Sequence, residues 1–558
     1  MTVEIHVDER AALGRAAAGV CGAQMALEVT LTIAGWAPPR PGWTGRLGHL
    51  PHLAELSVQI SQGEAHVAVR TSEPVAVAEV IRAVEPLFYP EVQRTTPLSA
   101  RVVLSGAVGD DPDIQAWSGQ FVAPMAAVEP EGSNMVPNDV AVAASADDVE
   151  PIQATAHVVR AEEAAWLDSR GRPIARIDPR VHHPIDRIDG AGVDAVAWGT
   201  EAGLVVERPK GRRRELAWHA PIAAGDVAYL RSLASLDLSD LQVPPTVGLN
   251  ASARLAEVAA TGVLLHSGRD LHRGGGLVDP VVDLFRAPLA ERTVIERTLR
   301  SVRQRRLVIR EHGILPRPAA GGMLDLSRPP TVTAIMATRR GERARDVVRQ
   351  LARQSYPCLE VIVACHGVAP PDLSDTAGIE VHVVEASAGA TLGEVLAAAT
   401  RRASGELITK VDDDDFYGPD HVWDLVIGRH YSGGTLVAKQ HEFTYVENLD
   451  VTIRRPLRGE RYVEAAAGGT LMISRADLGA VGGWRPLPRG VDRGLILEVI
   501  RSGGLMYVTA SVGFVYARHS HGHTWAKPDA HFLTSATDQW AGLYAPALGT
   551  PTARRGGY

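Results

Sequence analysis

From residue 331 onward the chain alternates short apolar runs with segments of helical spacing. The run "TVTAIMAT" has the pattern of a strand buried on both faces, "ERARDVVRQLARQ" that of an amphipathic helix, and "EVIVACHG" that of a second strand. The series continues with the strand "IEVHVVEA", the helix "TLGEVLAAATRRA" and the strand "ELITKVD". Strands alternating with helices at this spacing predict a parallel sheet with right-handed crossovers. Ligands of such sheets sit at the carboxyl ends of the strands.

Upstream the pattern is looser. "LEVTLTIAGW" and "AHVAVRT" are expected strands, and "VAVAEVIRAVE" is an expected helix punctuated by Pro74 and Pro86. Further on, "DAVAWGT", "GLVVERP" and "PPTVGLN" are expected strands, while "ARLAEVAATG" and "LAERTVIERTLRSVRQRRLVIREHG" are expected helices. Turn formers and acids gather at 127–151 and at 317–330, which reads as two linkers, and the end of the chain at 546–558 reads as a disordered tail. The expected class is therefore α/β: a Rossmann-like, mostly parallel domain at 331–545, preceded by two smaller α/β or α+β domains at 1–126 and 152–316.

At ~100–200 residues per domain, a chain of 558 residues agrees with three domains. The net charge of -8 supplies no bulk attraction to nucleic acid or to an anionic membrane, so neither is an expected partner without a local basic patch. The basic run "RPKGRRR" at 208–214 reads as a solvated loop between strands. Cys21, Cys358 and Cys365 are too few and too scattered for a disulfide framework or a structural zinc site, which fits a reducing, cytoplasmic setting. The N-terminus lacks the basic start and apolar core of a secretory signal, and no stretch reaches the ~20 apolar residues of a membrane span. Peripheral membrane association stays open.

One stretch departs from the alternation. "ELITKVDDDDFYGPD" places four aspartates, Asp412, Asp413, Asp414 and Asp415, at the carboxyl end of an expected strand. Two carboxylates ~4 Å apart repel by ~1 kcal/mol even in water, so a counter-charge is expected nearby. A hard divalent cation such as Mg²⁺ takes one or two carboxylates together with substrate phosphates. In an extended segment Asp412 and Asp414 share one side and can serve one site, leaving Asp413 and Asp415 for neighbouring loops or for the start of the helix expected in "FYGPDHVWDLV". An acidic helix cap without metal is the plainer alternative.

The ordered motifs "TVTAIMATRR", "LARQSYPCLEVIVA", "ASGELITKVDDDDFYGPDHVWDL", "GGTLMISRADLGAVGGW" and "VDRGLILEVIRSGG" resemble those of the family 2 glycosyltransferases of the GT-A fold, over residues 330–545. That resemblance implies an inverting transfer of a sugar from a nucleotide-sugar donor to a hydroxyl of a glycan, lipid-linked or small-molecule acceptor, with Mn²⁺ or Mg²⁺ as cofactor. It assigns the donor nucleotide to Asp412, the cation to Asp414 with Asp415 as a neighbour able to share either role, and the wall of the nucleotide pocket to the turn from Ala337 through Arg339 to Arg340. Gly468 and Gly469 are assigned to close approach of the backbone to the donor. Asp492 matches the family's base, although Val491 stands where the family has glutamate; a helix-capping aspartate is the alternative there. Trp484 is a candidate floor for the acceptor, or else a core tryptophan. Of His519, His521 and His523, one is expected to reach the cation, with His519 favoured, and a solvated loop is the alternative. Cys365 and His366 occupy the strand end where the family carries an aspartate for the nucleotide base, so the choice among UDP, GDP and dTDP sugars stays open.

A shorter resemblance, "NASARLAEVAATGVLLHSG" with Glu257 as its acid, is to the donor-side helix and strand of the GT-B glycosyltransferases and implies a degenerate, non-catalytic domain. Two rivals to catalysis by glycosyl transfer follow. A nucleotidyltransferase would carry a glycine-rich loop after the first strand, where "MATRRGERARD" has a single glycine. A glycosyltransferase-like scaffold without turnover would account for Val491 and the altered strand end.

Overall fold

The computed structural model describes residues 329–549 apart from 375, 377, 503 and 520–528. It also describes most of 24–34, 50–88, 192–269 and 277–313, positions 177, 179 and 182–187, and short strands at 2–7, 102–104, 140–143, 157–160, 317–318 and 324–325. The chain divides into two compact units, Met1–Pro329 and Pro330–Tyr558.

The N-terminal unit holds more than one sheet. Residues 2–76 supply four strands in the order Thr2–Val7, Met25–Ile33, Glu64–Ala76, Leu53–Ser61. The helix Val77–Val84 packs its buried Val77, Val80, Ile81 and Val84 with Val29, Leu31, Val67 and Val69 of that sheet. A second sheet is ordered Arg213–Ala217, Gly203–Glu207, Val193–Gly199, Leu233–Asp237, Leu264–His266, its last three strands parallel. The basic run is the tight connection between the two antiparallel strands, with Lys210 and Gly211 at positive φ. "PPTVGLN", an expected strand, instead leads into the helix Gly248–Ala260: the Ala-rich segment behind it propagates helix back to Gly248. Glu257 lies buried on this helix, held at 2.5 Å by Arg254. Residues 140–143, expected inside a linker, form the middle strand of a three-stranded parallel sheet; the rest of 127–151 lies outside the described residues. Strands 317–318 and 324–325 pair in the second expected linker. Among the described residues, no helix is long and apolar enough to cross a membrane.

The C-terminal unit follows the predicted alternation. Its main sheet contains β1 (Val332–Thr338), β2 (Leu359–His366), β3 (Glu380–Ala386), β4 (Leu407–Val411), β5 (Leu436–Ala438), β6 (Arg461–Tyr462), β7 (Met472–Ser474) and β8 (Met506–Val508), in the order β3-β2-β1-β4-β7-β5-β8-β6. The four strands β3, β2, β1 and β4 are parallel, whereas β7 runs antiparallel to both of its neighbours. Alternate residues of β1 feed two cores. Ile335 joins Ile362, Leu396, Leu495 and Val499 on the side of helices α2 (Leu392–Arg402) and α4 (Val491–Arg501). Ala334 and Met336 join Val347, Val348, Leu351 and Phe514 on the side of helix α1 (Gly341–Leu351). Burial on both faces is why β1, β2 and β4 read as near-continuous apolar runs, whereas the edge strand β3 is largely open. Each fully buried Leu, Val or Ile contributes about 1.5–3 kcal/mol relative to exposure. Helix α2 starts at a capping box of Thr391 and Glu394, the "TLGE" of the sequence. Helix α3 (His421–Ser432) follows the four aspartates and ends at Gly433 in the left-handed conformation. A smaller sheet, in the order Phe416–Tyr417, Phe514–Arg518, Phe443–Val446, Val451–Arg454, Asp538–Ala541, forms part of the same unit. Part of the expected tail is ordered too, since Ala545–Leu548 forms a 3-10 turn; 550–558 lie outside the described residues.

Candidate functional site

Three parallel strands end together at one edge of the sheet. β1 ends at Thr338, β2 at His366, and β4 runs into Asp412 through a tight turn that carries Asp413 and Asp414. The parallel register brings groups about 75 residues apart in sequence into contact.

The counter-charge demanded by the aspartates is present in the protein itself. Arg340, just after β1, donates from Nη2 to both Asp413 and Asp414, the latter at 2.7 Å, and from Nε to Asp413 at 3.2 Å. Thr338 Oγ1 donates to Asp413 at 2.6 Å and accepts from the Arg340 N–H at 2.9 Å. Lys410, on β4, donates from Nζ to Asp412 at 2.5 Å and lies 3.2 Å from Asp492 and 3.4 Å from the Gly468 carbonyl. Burial works against both cations, but the neighbouring carboxylates outweigh it and hold each above its ordinary range.

Asp415 differs from its neighbours. It is buried, accepts the Ala517 N–H at 2.9 Å, and burial together with the charges of Asp412 and Asp414 pushes its carboxyl well above the ordinary range. Burial also raises Asp413 despite Arg340 and Thr338. Of the two places expected for Asp413 and Asp415, the start of α3 is not used: the residue before α3 is Asp420, and the two side chains have partners on neighbouring segments, β1 and the strand Phe514–Arg518.

Gly468 and Gly469 line the other side. A methyl group on Gly468 would come within 2.2 Å of Asp492 Oδ2, and one on Gly469 within 2.8 Å of Asp412 Oδ2 and 3.0 Å of Asp415 Oδ2. Tyr417, buried and raised well above its ordinary range by that burial and by Asp415, stays protonated. Its hydroxyl accepts the Asp412 N–H at 2.8 Å and donates to the Gly469 carbonyl at 2.9 Å, fixing the glycine turn against the acidic one. Asp492 is the second residue of α4, whose N-cap is Gly490, so it does not cap that helix. Burial raises its carboxyl, Lys410 opposing and Asp412 adding to the effect.

The structure therefore brings Asp412, Asp492, Gly468 and Gly469 together around Lys410, with Asp414 in the adjoining turn against Arg340 and with Ala337 and Arg339 at the end of β1. Arg339 points its guanidinium at His366, 2.9 Å from Nε2, and His366 Nε2 lies 2.7 Å from the Ala390 carbonyl. Two expectations do not survive. Trp484 offers no floor to an acceptor: it packs in the core with Leu396 and Val491 and donates its indole N–H to Thr400 at 2.9 Å. The set Asp414, Asp415 and His519 does not converge as three ligands. His519 Nε2 donates to the Asp414 backbone carbonyl at 2.9 Å, its Nδ1 lies 3.2 Å from Glu447, and Asp415 is turned towards Ala517. His521 and His523 lie outside the described residues.

Asp412 and Asp414 each meet a protein cation, Lys410 and Arg340, and stay partly open to solvent. Their side chains are 39% and 18% exposed, unlike the buried Asp415. An Mg²⁺-type ion held by one or two carboxylates takes its other ligands from a bound molecule's phosphates and from water, so a closed protein cage is not required. Among the described residues, the group with three ligand atoms within 4.8 Å of one another is Glu360, Glu380 and His382, at the amino end of the strands. There Arg402 lies 3.1 Å from His382 Nδ1. Arg340 was expected only as part of the turn that walls a nucleotide, not as a partner of the aspartates, and Lys410 was not singled out from sequence; its signal was a lone charge in a short, mostly apolar strand.

No family model matches the chain, and no curated protein does. Among solved structures it is similar to the mannosyltransferase PcManGT from Pyrobaculum calidifontis in complex with GDP-Man and Mn²⁺, at 17% identity and a TM-score of 0.28, over 35% of this chain and 59% of that one. It is also similar to S. aureus TarS 1-349, at 15% identity and a TM-score of 0.27, over 34% and 60%. A third is GalNAc-T7 with UDP, GalNAc and Mn²⁺, at 12% identity and a TM-score of 0.28, over 34% and 44%. The chain spans less than two thirds of each of these proteins. Likeness of this size leaves the chemistry to be argued from the residues.

Proposed function

We propose that the C-terminal unit is an inverting glycosyltransferase of the GT-A type, similar to family 2, which moves a sugar from a nucleotide-sugar donor to an acceptor hydroxyl. The observation that carries this reading is the convergence of Asp412, at the carboxyl end of a parallel strand, and Asp492, at the start of α4, on Lys410, with Asp414 in the turn that follows Asp412 and two glycines whose missing side chains let the carboxylates approach.

In this reading Asp412 would contact the donor's nucleotide, and Asp414 would hold an Mn²⁺ or Mg²⁺ ion that balances the charge of the diphosphate. The cation would neutralise charge growing on the departing nucleoside diphosphate. The backbone at Gly468 and Gly469 lies against the sugar and diphosphate. Asp492 accepts the proton of the attacking hydroxyl as the new bond to the anomeric carbon forms and the bond to the diphosphate breaks on the opposite face. A carboxylate whose proton affinity is raised by burial is a better base than a solvated one. The end of β1 and the Arg339–His366 pair wall the nucleotide, and the acceptor is a glycan, lipid-linked or small-molecule hydroxyl. The N-terminal unit serves acceptor recognition or assembly.

The test is release of nucleoside diphosphate from UDP-glucose, UDP-N-acetylglucosamine, GDP-mannose and dTDP-rhamnose with Mn²⁺. The expected result is release from at least one donor, reduced about 100-fold or more by Asp492→Asn. A second reading, binding without turnover, gains from one specific observation: Arg340, Lys410 and the Ala517 N–H already satisfy the aspartates, so the cluster can persist without chemistry. Nucleotide binding with no release from any donor would favour it.

A further inference from the structure

Strand β4 is apolar except at two positions, Thr409 and Lys410, and Lys410 lies where its burial is costly: its side chain is 4% exposed. Side chains two apart on a strand share a face. Ile408 packs in the core that contains Val491, Leu495 and Ile496 of α4, so Lys410 projects towards the first turn of α4, and Asp412 lies on the same side. An ammonium has three N–H donors and no acceptor. Here the three acceptors within reach are Asp412 at 2.5 Å, Asp492 at 3.2 Å and the Gly468 carbonyl at 3.4 Å. One group thus touches the end of β4, the start of α4 and the glycine turn.

We propose that Lys410 is a positioning residue: it ties the donor-side carboxylate Asp412 to the proton-accepting carboxylate Asp492, so that the two halves of the site hold one geometry. This rests on the glycosyl-transfer reading above. Aligning a base with the attacking oxygen is worth a large share of a catalytic barrier, and a displacement of about 1 Å can cost about 100-fold. Lys410 draws Asp492 towards the sheet, and Gly468 makes room for it there: the space that a Cβ at 468 would fill is occupied by the Asp492 carboxylate. Without the ammonium, two half-buried carboxylates would face each other with no shared counter-charge and would move apart.

The test is a double-mutant cycle in the full chain. Rates of nucleoside diphosphate release from the four donors above, with Mn²⁺ and water as acceptor, are compared for wild type, Lys410→Met, Asp492→Asn and the double variant. Lys410 acting through Asp492 predicts that Lys410→Met lowers kcat about 100-fold with the donor KM within about threefold. It also predicts that the double variant is no slower than Asp492→Asn alone. Effects that multiply, or a Lys410→Met kcat within about threefold of wild type, would overturn it. Lys410→Arg carries the same cycle if Lys410→Met does not fold: the extra bulk must lower kcat, and again not compound with Asp492→Asn, multiplication being the contrary result. Failure of the underlying reading is distinct, since the wild type itself would then release nothing from any donor.

Discussion

At Gly468 the site tolerates nothing larger than hydrogen. Gly468→Ala would drive a methyl group into Asp492 Oδ2, so the variant is expected to lower the rate of donor turnover at least tenfold, a loss of about 1.4 kcal/mol in the barrier. Its thermal midpoint should fall far less than its rate, because the atom displaced is the end of a half-buried side chain. Trp484 behaves oppositely. Trp484→Ala is expected to cost about 3–5 kcal/mol in urea unfolding, as a large core residue does. These two residues mark what the sequence could and could not convey. The small residues beside the acidic cluster were legible because their spacing matched a known motif, whereas a tryptophan in "GGWRP" reads the same whether it faces a sugar or the core. Burial is a property of the packed sheet and helices, and no local pattern encodes it.

Between elements, the decisive contacts are ionic and long in sequence. Arg340 and Asp413 are 73 residues apart, and Lys410 and Asp492 are 82 apart. The strands and helices carrying them were legible from periodicity, as was the position of the aspartates at a carboxyl edge. Their pairing was not, because it depends on strand order, which places β4 beside β1 and α4 against the same face. A counter-charge near the aspartates was expected, but which residues supply it, Arg340 and Lys410, was not legible. A second buried pair shows what such links contribute to stability. Lys439, fully buried, donates to Asp424 of α3 at 2.6 Å. Lys439→Met would strand that carboxylate, and about 3–5 kcal/mol of stability should be lost in urea unfolding. A loss below 1 kcal/mol would mean that Asp424 finds another partner or takes up a proton.

At the scale of the whole molecule, acid should weaken the C-terminal unit through two buried histidines. Burial and the charge of Lys439 hold His421 well below its ordinary range, and burial beside Arg455 lowers His441 to about 4. Both are neutral in the fold, and an unfolded chain takes up their protons first. Their contribution is thus fully present above pH ~6.5 and is lost as pH falls towards 4. The thermal midpoint should decline over that window, and His441→Gln should flatten part of the decline. The N-terminal unit remained the least legible part: its helices and most strands followed periodicity, yet nothing in their residues spells out a chemistry, and Glu257 is committed to Arg254.

The central claim is that Asp412 and Asp414 form a site for a nucleoside diphosphate joined to a divalent cation. Its most direct test is the thermal midpoint of the full chain with UDP, GDP and dTDP, each with and without Mn²⁺, for wild type and Asp414→Ala. A ligand present at about 100 times its Kd stabilises the folded state by about 2.7 kcal/mol, enough to read as a shift of several degrees. The account predicts that one nucleotide raises the midpoint only when Mn²⁺ is present, and that Asp414→Ala abolishes the rise. No rise with any nucleotide, or a rise that Asp414→Ala leaves intact, would contradict it.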